Sequence, residues 1–254
     1  MKKNILFVTL LSLFSSCAEL LNIAKQVDLQ GLTSMPVTNA ENVSGLKSSL
    51  DVGIEKAVGQ LGIENGFLGD AAFKLLLPAE AQPIVDNIRL IPSGQELVEK
   101  AILSINRSAE DAVKEATPIF KMAIKEMTIA DAAGILFGAE NAATEYLRRT
   151  TYGALKSAFA PKVKTSLEKP LVANVSTLKT WNTLSSGYNK MAGSAVGAIA
   201  GLKTVNVDLE NYVTEKALDA LFVRVADEEK LIRQDPVARV NAILKRVFGQ
   251  LDKK

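Results

Sequence analysis

The sequence predicts an all-α fold, a multi-helix globular bundle with one short extended segment near residues 73–78. Two observations predict it. Apolar residues recur every three or four positions through most of the chain, and nearly every such run opens on a residue suited to start a helix. Capping and periodicity agree, and agreement between levels marks a foldable pattern. No repeat of fixed period is present.

The chain starts with a segment of another kind. Met1-Lys2-Lys3-Asn4 is followed by an apolar run from Ile5 to Phe14, then by Ser15, Ser16 and Cys17. A basic start, a short apolar run and small residues before a cut are the parts of a secretory signal peptide, and the run falls short of the roughly 20 residues a spanning helix needs. Residues 1–16 are therefore expected to be removed on export. Leu13-Phe14-Ser15-Ser16-Cys17 resembles a bacterial lipobox, whose thiol receives the lipid and becomes the new N-terminus; Phe14 departs from its aliphatic preference. Cys17 is the expected lipid attachment site, with 17–37 as a tether and 38–250 as a single helical domain. Ala18 stands where an aspartate would retain a lipoprotein at the inner membrane, which directs the expectation to the periplasmic side of the outer membrane.

Val43, Leu46, Leu50, Ile54, Val58 and Leu61 mark the first helix, with Thr38 and Glu41 as a capping box and Lys47–Asp51 as an i,i+4 pair. It is expected to end near Gly62. Gly62, Gly66 and Gly69 break the pattern, and Phe73-Lys74-Leu75-Leu76-Leu77, closed by Pro78, reads as an extended stretch laid on the body. Ser93 with Glu96 opens a helix to about Ala116, Thr117-Pro118 opens the next, and Thr128 with Asp131 opens one stopped at Gly138. From Asn141 to about Lys169 the spacing predicts a pair of helices parted at Thr150 or Thr151, with Pro161 as a kink or junction. A weaker helix from Leu171 to Lys190 carries the only tryptophan, Trp181. Met191 to Leu202, rich in alanine and glycine, reads as a loop, a tightly packed helix or a hairpin dipping into a membrane. Asp208 caps a long helix whose stripe is Leu218, Leu221, Phe222, Val225 and Ile232, with Arg224–Glu228 and Glu229–Arg233 expected on its wet side. Asp235-Pro236 restarts a last helix to about Phe248.

Composition removes several classes of chemistry. The chain has no histidine and one cysteine, so with Cys17 lipidated it lacks the commonest general base and any thiol. Serine triads, zinc hydrolases and haem or iron–sulfur sites in their usual forms are excluded, and neither a metal site nor a cofactor is expected. The formal charge of +2 includes Lys2 and Lys3; without them 28 basic side chains face 28 acidic ones, which gives no pull towards nucleic acid. Asp227-Glu228-Glu229 is the densest acidic cluster, and paired carboxylates can cleave glycosidic bonds. With basic partners four residues away it reads as a solvated face. Arg148 and Arg149, beside Tyr146 and Tyr152, are candidates to grip an anion or a partner. Asn106, Arg107 and Glu110 form a second polar set inside an apolar helix. Structural salt bridging is the competing reading of both sets. The triplets at Asn42, Asn106 and Asn174 fit glycosylation sequons, which the lipobox discounts.

Gly66-Phe67-Leu68, Leu77-Pro78, Asn106-Arg107-Ser108-Ala109-Glu110, Met127-Thr128-Ile129-Ala130-Asp131-Ala132, Ala142-Ala143-Thr144-Glu145-Tyr146, Tyr212 to Asp219, Glu228 to Arg233 and Val247-Phe248-Gly249 follow one another in an order that resembles the bacterial DUF4197 proteins, over roughly Thr38 to Gly249. The resemblance implies an exported helical domain of unknown function and carries over no catalytic residue. The stretch 191–202 looks peculiar to this chain. The resulting expectation is a non-enzymatic, lipid-anchored protein that binds an envelope partner, or an apolar molecule held between helices. The alternatives are a carboxylate enzyme acting on envelope glycans and a purely structural envelope protein.

Overall fold

The computed structural model describes residues 36–253, so the signal segment, Cys17 and the tether as far as residue 35 lie outside the described residues. Among the described residues are ten α-helices and no strand, as the spacing predicts. Helix α1 (Asn39–Leu61) buries Leu46, Leu50, Ile54 and Leu61, while Val43 and Val58 lie half-buried at the edges of that stripe. The buried face also carries Gly45, Ser49, Gly53 and Ala57, a seam of small residues four apart that the apolar spacing alone does not mark. Helices α9 (Leu209–Gln234) and α10 (Ala242–Phe248) close on this seam. A Cβ at Gly45 would stand 2.6 Å from the Val247 side chain, and one at Gly53 3.0 Å from Val225.

Helix α9 is the hub, packing on α1, on α6 (Ala142–Glu168) and on α3 (Gly94–Val113). Helix α4 (Ala116–Glu126) lies on α1 and α6, and α7 (Thr177–Ala192) lies on α3. The short helices α2 (Gln82–Asp86), α5 (Ala132–Leu136) and α8 (Ala195–Ile199) sit in the connections. Phe120, Phe159, Phe222 and Phe248 are fully buried in the core.

Several expected boundaries move, each for a local reason. Ser93 precedes α3 in a left-handed conformation, with φ 53°, and its side chain caps nothing. Asp131 alone caps α5, accepting from the Gly134 N–H, while the Thr128 carbonyl accepts from the Tyr146 hydroxyl. Helix α6 is one unbroken helix of 27 residues. Thr150 and Thr151 turn their hydroxyls back onto the carbonyls of Tyr146 and Leu147 and stay helical. Pro161 is tolerated because Phe159, Val163 and Leu167 around it are buried; at about 1.5–3 kcal/mol each they outweigh the ~3 kcal/mol of a mid-helix proline. Helix α7 starts only at Thr177, capped by Ser176, and α10 at Ala242, capped by Asn241 after a single 3-10 turn over Pro236–Ala238. Lys47 donates to the Lys125 carbonyl rather than to Asp51. The Asp51 Oδ1 is buried without a hydrogen-bond partner, and burial holds this carboxyl above the usual carboxylate range.

The largest correction concerns Asp227-Glu228-Glu229, of which only Asp227 is solvated. Glu228, Glu229 and Arg233 are all buried. Glu229 accepts from the backbone N–H groups of Ala143 and Thr144 and from the Thr144 hydroxyl, so it caps α6 from another helix. Arg233 donates to Glu229 through Nε and Nη2 and reaches the carbonyls of Ile135 and Leu136 at the end of α5. Arg224 pairs with Asp70, and Glu228 takes Lys56 instead.

Glu229→Ala strands the Arg233 guanidinium and the α6 N–H groups away from water, and is expected to lower the unfolding free energy in a urea titration by about 3–5 kcal/mol. Glu140→Gln, which breaks the exposed pair with Lys230, is expected to leave the midpoint unchanged.

Candidate functional site

The chain leaves α1 through a tight turn. A Cβ at Gly66 would stand 2.5 Å from the Leu61 carbonyl oxygen, and Asn65 takes a φ of 66°. From there to Pro78 the backbone runs outside any helix, and α3 holds it with residues singled out in the sequence. Glu110 accepts from the N–H groups of Phe67 and Leu68 at 3.1 and 3.2 Å, and from Arg107 Nη1 at 2.6 Å. Arg107 also reaches Glu64 and Asn65. Asn106, fully buried, does for Leu75 what a neighbouring strand would do. Its Oδ1 accepts from the Leu75 N–H at 2.9 Å, and its Nδ2 donates to the Leu75 carbonyl at 2.7 Å. The expected extended stretch is therefore present, clasped by a side chain in place of a sheet.

Helix α9 holds the same segment from its own side. Arg224 pairs with Asp70 at 2.7 Å and lies 4.5 Å from the centre of the Phe73 ring. The Tyr212 hydroxyl donates to the Leu76 carbonyl at 2.9 Å. Burial pushes this hydroxyl above the ordinary tyrosine value, with Glu80 adding to the shift, so it stays protonated and a donor.

Between residues 72–76 and α9 lies a groove of about 360 Å³. Tyr212, Lys216, Asp219 and Val223 form its helical wall, at the spacing of one face, and Phe73 and Leu75 give it apolar depth. Leu76 and Val223 stand 58% and 45% exposed at its rim. The ammonium groups of Lys74 and Lys216 make no hydrogen bond or ion pair with any described residue. Asp219 is neutralised by Arg148 of α6, whose guanidinium lies 5.5 Å from the Tyr152 ring centre and 5.4 Å from that of Phe222. Burial, then the charges of Asp219 and Glu215, raise the Tyr152 pKa, so that ring too keeps its proton. The groove thus pairs an apolar surface with two lysine ammonium groups that no hydrogen bond or ion pair ties down. A larger hollow of about 610 Å³ at the start of α3 gathers none of the singled-out residues.

A family model described as a protein of unknown function, DUF4197, matches residues 36–249. The chain belongs to the DUF4197 family. No curated protein and no solved structure matches it. In this DUF4197 chain the motifs Gly66-Phe67-Leu68, Asn106 to Glu110 and Tyr212 to Asp219 converge on one segment and the groove beside it.

The predicted site residues therefore divide. Asn106, Arg107 and Glu110 build one wall of the groove from behind, and Arg148 sets the charge of the other. Arg149 belongs elsewhere, stacked 5.4 Å from the centre of the Tyr146 ring. Asp70, Lys74, Tyr212, Lys216, Asp219 and Arg224 went unmarked, although the spacing of 212, 216, 219 and 223 reads as one helix face beside the buried stripe. Among the described residues no group of three or more acidic or thiol side chains is placed to hold a metal ion.

Asn106→Leu keeps the volume and removes both bonds to Leu75. Amide exchange across residues 70–78 is expected to rise by at least about tenfold, the equivalent of ~1.4 kcal/mol of local stability, as read by hydrogen-exchange mass spectrometry.

Proposed function

We propose that this DUF4197 protein is exported, anchored through lipid on Cys17 to the periplasmic side of the outer membrane, and acts by binding an envelope partner rather than by catalysis. The observation that carries the binding reading is the groove between residues 72–76 and α9. Its walls are pinned by buried hydrogen bonds before any ligand arrives, which cuts the ordering cost of association. Leu76 and Val223 offer exposed apolar contact, and Lys74 and Lys216 offer ammonium groups held in no ion pair. A partner segment with an acidic residue next to apolar ones fits that surface.

Two other readings have specific observations against them. Phe120, Phe159, Phe222 and Phe248 are buried between the helices, which favours a surface site over an apolar molecule held in the core. Two of the three carboxylates nominated for glycan chemistry are spent in the fold, Glu229 on Ala143, Thr144 and Arg233 and Glu228 on Lys56, and Asp227 stands exposed beside Arg224.

A photo-crosslinking residue placed at Val223 in living cells is expected to capture a discrete envelope protein, whereas one at the exposed Lys179 of α7 does not. Lys74→Glu with Lys216→Glu is expected to weaken that capture about tenfold, or ~1.4 kcal/mol. Equal labelling from both positions would exclude the groove. For the anchor, Cys17→Ser is expected to move the exported protein from the detergent-rich to the aqueous phase on cloud-point partitioning. Retention in the detergent phase would show that no lipid is attached there.

A further inference from the structure

Residues 191–202 form a finger whose base is closed by a side-chain clasp. Asn189 donates through Nδ2 to the Val205 carbonyl and accepts from the Val205 N–H, both at 2.7 Å, so the chain leaves and returns at one place. Inside the finger the turns are closed by its own backbone and by Ser194. Ser194 caps α8 by accepting from the Gly197 N–H, and its own hydroxyl donates to the Met191 carbonyl. Gly201, at φ 68°, ends the helix with the Leu202 N–H donating to the Gly197 carbonyl, the six-to-one bond of a Schellman turn. Gly197 lies where a Cβ would stand 2.3 Å from the Met191 carbonyl oxygen, which makes the turn compact.

The side chains that the finger exposes are all aliphatic. Ala195, Val196, Ala198, Ile199 and Ala200 are exposed, Val196 at 75% and Ile199 at 89%. No charged residue occurs from Met191 to Leu202, and Lys190 and Lys203 bracket it at the clasped base. Neither ammonium makes an ion pair or hydrogen bond with a described residue. An element that lies at a membrane interface combines aliphatic side chains with flanking cations. We propose that the finger is a membrane-contact element, dipping Val196 and Ile199 below the headgroups of an anionic leaflet while Lys190 and Lys203 meet its phosphates. The lysines make the surface complementary to anionic lipid in particular.

The test uses the exported chain purified as Cys17→Ser, which carries no acyl chain, so its outcome is independent of the anchor and of the groove. Co-sedimentation with vesicles of phosphatidylethanolamine and phosphatidylglycerol is expected, with binding about tenfold weaker to phosphatidylcholine alone. Val196→Ser with Ile199→Ser, both at the surface, is expected to keep the circular dichroism spectrum and lose at least about tenfold in vesicle binding. Ile63→Ser, at an exposed aliphatic residue outside the finger, is expected to bind as the parent does. Equal vesicle binding by the parent and the double-serine variant overturns the proposal. So does self-association in lipid-free sedimentation that the same variant abolishes, which would make the finger a contact between copies.

Discussion

Glu229 and Arg233 stand one turn apart on α9, with 0% and 5% of their side chains in water. Taking two charges out of water costs several kcal/mol apiece, and attraction between them offsets this only when the remaining donors and acceptors are filled. Here they are. Glu229 takes the first N–H groups of α6, which a helix start leaves unpaired, and Arg233 takes the last carbonyls of α5. One ion pair thus closes two helix ends and seats both on α9. The seating then propagates along α6. Thr144 meets Glu229, Arg148 meets Asp219 and Lys156 meets Glu215, three polar pairings that hold the helices antiparallel and in one register. The ion pair on the groove wall at Asp219 belongs to the same register as the contact made ten residues further along α9.

Towards α1, the buried stripe of α9 is positioned by small residues. Gly45, Ser49, Gly53 and Ala57 give α1 a flat face, so Val225 and Val247 come against its backbone. Large residues at those places would push the hub outward, since cores are packed too tightly to absorb extra methyl groups. Arg239 finishes the arrangement, donating to the carbonyls of Ile232 and Arg233 at the end of α9 and to Asp252 beyond α10. The ends of α9 are therefore as well paired as its middle.

How much of this was legible depends on range. The apolar stripes of α1 and α9, the Asp208 cap and the extended stretch before Pro78 all follow from spacing within a few residues, and all are present. Glu229 misleads because an i,i+4 pair reads as a surface pair. Yet it stands four residues after Val225 and three before Ile232, on the buried stripe itself, and an acid at that position asks for buried partners. Asn106 and Glu110 show the same signature in α3, polar residues four apart within an apolar helix, and there it was read as unusual. What spacing cannot supply is the partner. Asp70 with Arg224, or Tyr212 with Leu76, join residues more than a hundred positions apart, and only the folded chain brings them together.

The buried polar side chains share one use. Asn106 and Glu110 stand in for a missing strand and a missing cap along residues 66–76, Glu229 caps α6, and Arg233 and Arg239 cap α5 and α9. Each is committed to backbone groups that would otherwise be stranded away from water. Charge left over by this arrangement lies outside, on Lys74 and Lys216 beside exposed Leu76 and Val223, and on Lys190 and Lys203 beside exposed Val196 and Ile199. An aliphatic contact flanked by unspent cations occurs at both places. The fold thus divides its polar side chains, those within spent on backbone groups and lysine ammonium groups left beside aliphatic side chains at the surface.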